Sequence, residues 1–134
     1  LIEITETGVM LDPNQVIKTL DQLAAIGVRL SIDDFGTGYS SLLHLKRMPV
    51  HTLKVDKSFV IDMDSDEESA SIVGATIDLA HSLGLSVTAE GVESAVVLDM
   101  LKEMGCDFCQ GYYVGMPMTR QEVQAWLSGR HEAP

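Results

Sequence analysis

The stretch SIDDFGTGYSSL, residues 31–42, decides the fold that we predict for this chain. In it an apolar strand runs into two adjacent aspartates, Asp33 and Asp34, and then into a turn built on Gly36 and Gly38. Adjacent carboxylates at a strand end repel each other unless a cation, a proton or solvent relieves them. A metal ion is the productive solution, because the glycines let the backbone bend close to it. The alternative is a solvated strand end followed by an ordinary turn.

Strand and helix patterns alternate on both sides of this stretch. The predicted strands cover residues 1–5, 28–33, 51–56, 85–90 and 106–112. The predicted helix starts are Asp12 followed by Pro13, the capping boxes Ser65 with Glu68 and Thr119 with Glu122, and Ser94, with a further short helix over 40–47. Five strand and helix repeats imply parallel strands joined by right-handed crossovers, hence an α/β sheet or part of a barrel.

Side-chain alternation gives the predicted strands a common polar face. That face holds Glu3 and Thr5; Arg29, Ser31 and Asp33; Thr52, Lys54 and Asp56; Ser86, Thr88 and Glu90; and Gln110. A doubly wound sheet would bury both faces and show continuous apolar runs. Carboxylates and a lysine near the strand ends are instead typical of the mouth of a (β/α)8 barrel. The alternative is that the polar side chains face solvent, as in an antiparallel sheet. Helical crossovers disfavour this alternative, because they imply a parallel sheet that is covered by helices.

Four carboxylates would converge at that mouth: Glu3, Asp33, Asp34 and Glu90. They are hard oxygen ligands suited to Mg2+ or Mn2+, and two such ions favour phosphoryl hydrolysis. Lys54 would orient the attacking water or stabilise charge in the transition state, and Gln110 can hold a water without titrating. This spacing predicts a metal-dependent hydrolase or lyase.

Composition limits the classes of partner. The 134 residues include 20 acidic and 9 basic side chains, and the net charge of −11 argues against an electrostatic grip on DNA or RNA. The sequence has no long apolar run and no basic start followed by an apolar core, so we expect no membrane contact by this segment and a cytoplasmic location. Cys106 and Cys109 are predicted to be buried small apolar residues, and the four histidines to be structural.

Five strings occur in a fixed order: EITET, DDFGTGYSSL, LKVDKSFV, AEGVES and QGYYVGMPM. In sequence and separation they closely resemble the C-terminal half of the EAL-domain phosphodiesterases, which hydrolyse cyclic di-GMP to linear pGpG. The resemblance implies an α/β fold that is the C-terminal part, about five β/α units, of a TIM-like (β/α)8 barrel. It places a partial EAL domain at residues 1–128 and a tail at 129–134.

The resemblance also implies roles for single residues. Glu3 and Asp33 are similar to ligands of one Mg2+ or Mn2+ ion, and Asp33, Asp34 and Glu90 to ligands of a second. Lys54 matches the catalytic lysine, Gln110 the glutamine that holds the hydrolytic water, and Glu93 a supporting carboxylate behind the ligands. The loop that links metal binding to dimerisation in this family corresponds to Phe35, Gly36, Thr37, Gly38, Tyr39, Ser40 and Ser41.

The N-terminal half of the family has no counterpart in these residues, and five strands cannot close a barrel of eight. We therefore expect the chain to pair with a second copy or with the missing half. The leading interpretation is the metal-binding half of a cyclic di-GMP phosphodiesterase. The alternatives are a catalytically silent module that binds nucleotide or a protein partner, and a fragment without a function.

Overall fold

The computed structural model of the chain describes residues 1–5, 8, 12–35, 42–115 and 118–132, with the backbone alone at 34, 42–44 and 130–132. In this part of the chain a five-stranded sheet forms the centre, and every neighbouring pair of strands is parallel. The strands are β1 (Ile2–Thr5), β2 (Leu30–Phe35), β3 (Thr52–Val55), β4 (Ser86–Glu90) and β5 (Phe108–Gln110). They lie side by side in chain order, as successive β/α units of a barrel do.

Helices separate the strands along the chain. They are α1 (Pro13–Ala25), α2 (Leu42–Arg47), α3 (Lys57–Val60), α4 (Glu67–Ser82), α5 (Ala95–Glu103) and α6 (Arg120–Glu132). The short helix α3 was not predicted, because the sequence pattern of four residues is too brief to show a helical period. The predicted helix over 40–47 is confirmed from residue 42 onward, and residues 40 and 41 lie outside the described ranges.

Three of the predicted helix starts are confirmed by side-chain caps. The Asp12 carboxylate accepts a hydrogen bond from Gln15 N at 3.4 Å, and the Ser94 hydroxyl accepts one from Val97 N at 3.2 Å. Before α6 the capping box is reciprocal. Thr119 N donates to Glu122 Oε2 at 2.9 Å, and Glu122 N donates to Thr119 Oγ1 at 3.3 Å.

The fourth predicted start is wrong by one residue, because Asp66 and not Ser65 caps α4. The Asp66 carboxylate accepts hydrogen bonds from Glu68 N at 2.9 Å and Ser69 N at 3.5 Å. The Ser65 hydroxyl donates instead to Asp62 O at 3.3 Å. Both residue types favour the cap position, and a carboxylate gains further from the positive end of the helix dipole.

The second strand begins and ends later than predicted and contains a β-bulge. Ile32 pairs with Leu53 and Phe35 pairs with Val55, so two residues of β2 stand opposite Lys54 alone. Those two residues are Asp33 and Asp34. A bulge shifts the alternation of side chains by one, and for this reason Ile32 and Phe35 are both buried although they are three positions apart.

The hydrophobic core lies between one face of the sheet and the helices, as alternation predicted. From the strands it contains Leu30, Ile32, Leu53, Val55, Val87 and Ala89, and from the helices Leu20, Val73, Ile77, Ala80, Val97 and Leu101, all buried. Burial of such side chains is the main stabilising term of a domain of this size. The opposite face of the sheet carries mainly polar side chains, together with the exposed Phe108 of β5.

Two of the histidines have the structural roles that the sequence predicted. His51 Nδ1 accepts a hydrogen bond from Leu30 N at 3.2 Å, which ties the start of β3 to β2. His81 Nε2, in the last turn of α4, lies 2.8 Å from Asp107 Oδ2, and the same oxygen accepts from Val87 N at 2.8 Å. The side chains of His44 and His131 lie outside the described part of the chain.

The end of the chain differs from the prediction. Helix α6 continues through Glu132, so residues 129–132 are helical where a tail was expected. Residues 133 and 134 lie outside the described ranges, and the domain boundary at residue 128 stays a prediction. No helix in the described part of the chain is long and apolar enough to cross a membrane.

The loops after β4 and β5 are joined by backbone hydrogen bonds that require a glycine. Val92 N donates to Gln110 O at 3.1 Å, and Tyr113 N donates to Val92 O at 3.0 Å. A Cβ atom on Gly111, which lies between these partners, would stand 2.3 Å from Val92 N and from Val92 O. The absence of a side chain at Gly111 therefore permits the close approach of the two loops.

We expect Gly111→Ala to destabilise the chain by about 1–3 kcal/mol, the usual cost of forcing extra atoms into a packed site. The matched control is Gly129→Ala in α6, where a Cβ would meet nothing within 4 Å. Alanine should stabilise that helix by about 0.5–1 kcal/mol. Urea unfolding of both variants measures the difference, and equal stability of Gly111→Ala and the unmodified chain would contradict the close approach.

Candidate active site

The polar face of the sheet is organised around Lys54 of β3. Its Nζ lies 2.6 Å from Glu3 Oε1 of β1 and 2.7 Å from Glu90 Oε1 of β4. Strand β2 separates β1 from β3, so the lysine joins strands that are not neighbours. We call Lys54, Glu3 and Glu90 the ion triad. It brings together three of the residues that the sequence predicted for one site.

Burial differs across the ion triad. The Lys54 side chain is 9% exposed, that of Glu90 is 18% exposed, and that of Glu3 is 42% exposed. Burial by itself disfavours a charged ammonium, but hydrogen bonds from Lys54 to Glu3 and Glu90 outweigh this effect and raise its pKa above the usual range. Lys54 is therefore a permanent cation in this site.

The neighbours of the Glu90 carboxyl shift its pKa in opposite directions. Burial raises its pKa above the usual value, and the Lys54 ammonium opposes that shift while a hydrogen bond with Asp33 adds to it. Asp33 thus lies within hydrogen-bonding reach of Glu90 as well as in the field of Lys54. The β-bulge sets Asp33 and Asp34 together opposite Lys54 on the neighbouring strand. The Asp34 side chain lies outside the described part of the structure.

A cavity of about 260 Å3 opens beside the ion triad, at the carboxyl ends of β4 and β5. Its lining includes Glu90, Glu93, Gln110, Tyr112 and Lys57. Three of these residues, Glu90, Glu93 and Gln110, were predicted as site residues, and the structure brings them to one cavity. Lys57 and Tyr112 were missed for different reasons. Lys57 lies in α3, beyond the strand from which the polar face was read. Tyr112 alternates with Gln110 in the predicted strand but was not counted among the polar residues, and it lies beyond the end of β5.

A second cavity, of about 440 Å3, lies over the polar face itself. Its lining includes Glu3, Ser31, Thr52, Lys54, Thr88 and Gln110, which confirms the predicted common face. The Ser31 hydroxyl is buried there and has no hydrogen-bond partner among the described residues.

Asp56 departs from the predicted polar face. It follows the last residue of β3 and caps α3, where its carboxylate accepts hydrogen bonds from Ser58 N at 3.0 Å and from the Ser58 hydroxyl. Side chains alternate between the two faces only within the strand. Beyond its last residue, the direction of the Asp56 side chain is set by its role as the cap of α3.

The two cysteines behave as structural thiols. Both are half-buried, and Cys106 Sγ donates to Phe108 O at 3.2 Å. Burial, together with the neighbouring Cys109, raises the pKa of Cys106 to about 12. Since the thiolate is the reactive form, the raised pKa of Cys106 disfavours the redox or zinc chemistry that a C-x-x-C spacing can indicate.

The carboxylate oxygens at this site are of the type that a hard divalent cation prefers, but the Lys54 ammonium lies between two of the carboxylates. Glu3, Asp33 and Glu90 offer carboxylate oxygens, which Mg2+ and Mn2+ prefer. Among the side chains that the structure describes, however, no three His, Cys, Asp or Glu residues are grouped closely enough to hold a metal. Lys54 occupies the space between Glu3 and Glu90.

The predicted dimerisation loop lies mainly outside the described residues. Phe35 is described and is buried in the core as the last residue of β2, whereas residues 36–41 are not described. The proposed link between this loop and dimerisation stays a prediction.

Comparison with known proteins gives a consistent family match. The EAL domain family model matches residues 1–117. The bifunctional diguanylate cyclase/cyclic di-GMP phosphodiesterase MucR of Pseudomonas aeruginosa is 43% identical over 125 residues, which are 93% of this chain and 18% of that protein. The chain therefore spans less than a fifth of that curated relative.

Solved structures agree with the sequence match. The MucR phosphodiesterase in complex with cyclic di-GMP is 44% identical, with a TM-score of 0.87 over 90% of this chain and 49% of that one. BlrP1 of Klebsiella pneumoniae, with calcium and cyclic di-GMP, is 38% identical, with a TM-score of 0.76 over 83% of this chain and 28% of that one. The likeness confirms the predicted α/β fold as part of a TIM-like barrel.

Proposed function

We propose, since the chain belongs to the EAL domain family, that it forms part of a metal-dependent phosphodiesterase that hydrolyses cyclic di-GMP to linear pGpG. The observation that carries this proposal is the ion triad, where a buried lysine lies between carboxylates beside an open cavity. The family relationship supplies the substrate, because the MucR and BlrP1 structures are complexes with cyclic di-GMP.

The residues of this chain have separate roles in the proposed reaction. The Lys54 ammonium orients the attacking water or stabilises negative charge on the phosphodiester in the transition state. Gln110, an amide that does not titrate, holds the water in place. Glu93, which lines the cavity beside Glu90, supports the metal ligands from behind.

We assign metal binding to Glu3, Asp33, Asp34 and Glu90, with Mg2+ or Mn2+ as the ions and two ions in the complete site. When bound, such ions neutralise phosphodiester oxygens and lower the pKa of a coordinated water. BlrP1, which is 38% identical, forms a complex with calcium and cyclic di-GMP, and this supports the proposal that the chain binds a divalent cation. The resemblance to the family implies that further metal ligands and a substrate-binding arginine belong to the N-terminal half of the family's domain. We therefore propose pairing with that half or with a second copy.

The direct test is hydrolysis of cyclic di-GMP by the chain in Mg2+ or Mn2+, with EDTA as the control and chromatography of the linear product as the readout. Turnover that EDTA abolishes is the expected result if the chain completes its own site. If the chain turns over substrate only after the N-terminal half of an EAL domain is added, the missing ligands are essential. Absence of turnover in both forms would overturn the proposed activity.

A second candidate follows from the absence of a three-ligand metal group among the described side chains. A catalytically silent EAL module would bind cyclic di-GMP without hydrolysing it. Calorimetric titration with cyclic di-GMP in EDTA distinguishes this candidate, since it predicts binding of unchanged nucleotide that does not depend on a metal.

A further inference from the structure

The ion triad places a cation of the protein itself on two of the proposed metal ligands. Lys54 Nζ lies within 2.7 Å of an oxygen of both Glu3 and Glu90. These are charge-assisted hydrogen bonds, which are about twice as strong as neutral ones. A divalent cation that uses either oxygen has to compete with the ammonium for it.

Lys54 is also held in place by its surroundings. Its side chain is only 9% exposed, and an ammonium that lost both hydrogen bonds there would keep only the field of Asp33, among its named neighbours, to compensate its charge. We therefore expect the Lys54 ammonium to leave Glu3 and Glu90 only when another cation binds these carboxylates or when a new anion binds the ammonium. A metal ion is such a cation, and the phosphodiester of a substrate is such an anion.

We propose that Lys54 is an internal counter-cation that competes with the divalent metal for Glu3 and Glu90, so that metal loading and release of the lysine toward substrate are one coupled event. The proposal rests on the proposed function for the identity of the cation. It concerns metal binding without turnover, so its failure and the failure of the proposed activity are distinguishable.

The first experiment is calorimetric titration of the full chain with Mn2+ alone, for the unmodified protein, Lys54→Met and Lys57→Met. We expect Lys54→Met to bind Mn2+ roughly tenfold more tightly, the size expected when binding no longer breaks one charge-assisted hydrogen bond. Lys57→Met is the matched control. It removes an equal charge from the neighbouring cavity that Glu90 lines, yet among the described contacts it makes no ion pair with Glu3 or Glu90.

The two variants separate competition from general repulsion between cations. A gain in affinity confined to Lys54→Met supports the proposal, and binding by Lys54→Met alone supports it most strongly. Equal gains in both variants would mean that net charge alone governs affinity and would overturn it. Unchanged or weaker binding by a folded Lys54→Met, or no binding by any of the three proteins, would also overturn it.

A second measurement needs no folded variant at Lys54. Mg2+ is titrated into the full unmodified chain while the ε-CH2 and ammonium signals of the lysines are followed by NMR. We expect the signal of the most buried lysine, Lys54, to shift in step with metal saturation, while Lys57, which is exposed, changes little. A Lys54 signal that stays constant at saturation would show that the ammonium does not move and would overturn the proposal.

Discussion

Lys54→Ala is expected to lower the turnover of cyclic di-GMP by about 10²–10³-fold, the usual loss when one preorganised charge is removed from a transition state. Metal should not be lost, because the lysine is not a ligand but a neighbour of Glu3 and Glu90. Product formation and Mn2+ affinity are measured on the same preparation in the complete domain.

The control for this variant is Lys18→Ala, which removes an exposed lysine from α1 that belongs neither to the ion triad nor to the lining of the two cavities. Its turnover should match that of the unmodified protein. If Lys54→Ala turned over substrate at the normal rate, the catalytic assignment of the lysine would be wrong. If instead it lost its metal while remaining folded by circular dichroism, Lys54 would have to be regarded as part of the metal-binding set.

Asp33→Asn is expected to remove metal and activity together. Asp33 is the proposed ligand that both ions share, and it lies within hydrogen-bonding reach of Glu90 across the polar face. We expect metal affinity to fall by at least about 100-fold, since loss of an outer partner alone costs 10–100-fold. Calorimetry with Mn2+ measures affinity, and chromatography of the product measures activity.

The matched control is Asp78→Asn on the exposed side of α4, which makes the same chemical change away from the site. It should leave metal affinity unaltered. Unchanged affinity in Asp33→Asn would refute the shared-ligand assignment, even if activity fell. The opposite result, lost affinity in both variants, would point to the net charge of the chain and not to a local site.

Much of the fold could be predicted because local signals and the hydrophobic pattern agree. Asp12 and Pro13 begin α1, Ser94 begins α5, and the capping box of Thr119 and Glu122 begins α6. The alternation of apolar and polar residues also placed Leu53 and Val55 in the core and Lys54 on the other face. Each of these features depends on residues within a few positions of one another.

The features that sequence could not supply depend on pairing between distant segments. The bulge at Asp33 and Asp34 exists only relative to β3, and strict alternation would have put Phe35 on the wrong face. The choice of Asp66 over Ser65 as a cap is an exception, because it depends on local geometry between two residue types that both favour the cap position. That Lys54 bonds to two carboxylates at once could not be inferred from spacing, because parity gives the face of a side chain but not its partner.

The order of the strands has a consequence for how the chain acquires its site. Each strand pairs with the one made just before it, so the sheet can grow from one end as the polypeptide emerges, with short steps in sequence. The ion triad is different, since Lys54 and Glu3 are 51 positions apart and Glu90 comes later still. Its charges meet only after β4 has docked. Formation of the triad during refolding would therefore report completion of the first four strands, and a nascent chain that ends before β4 would have no assembled site.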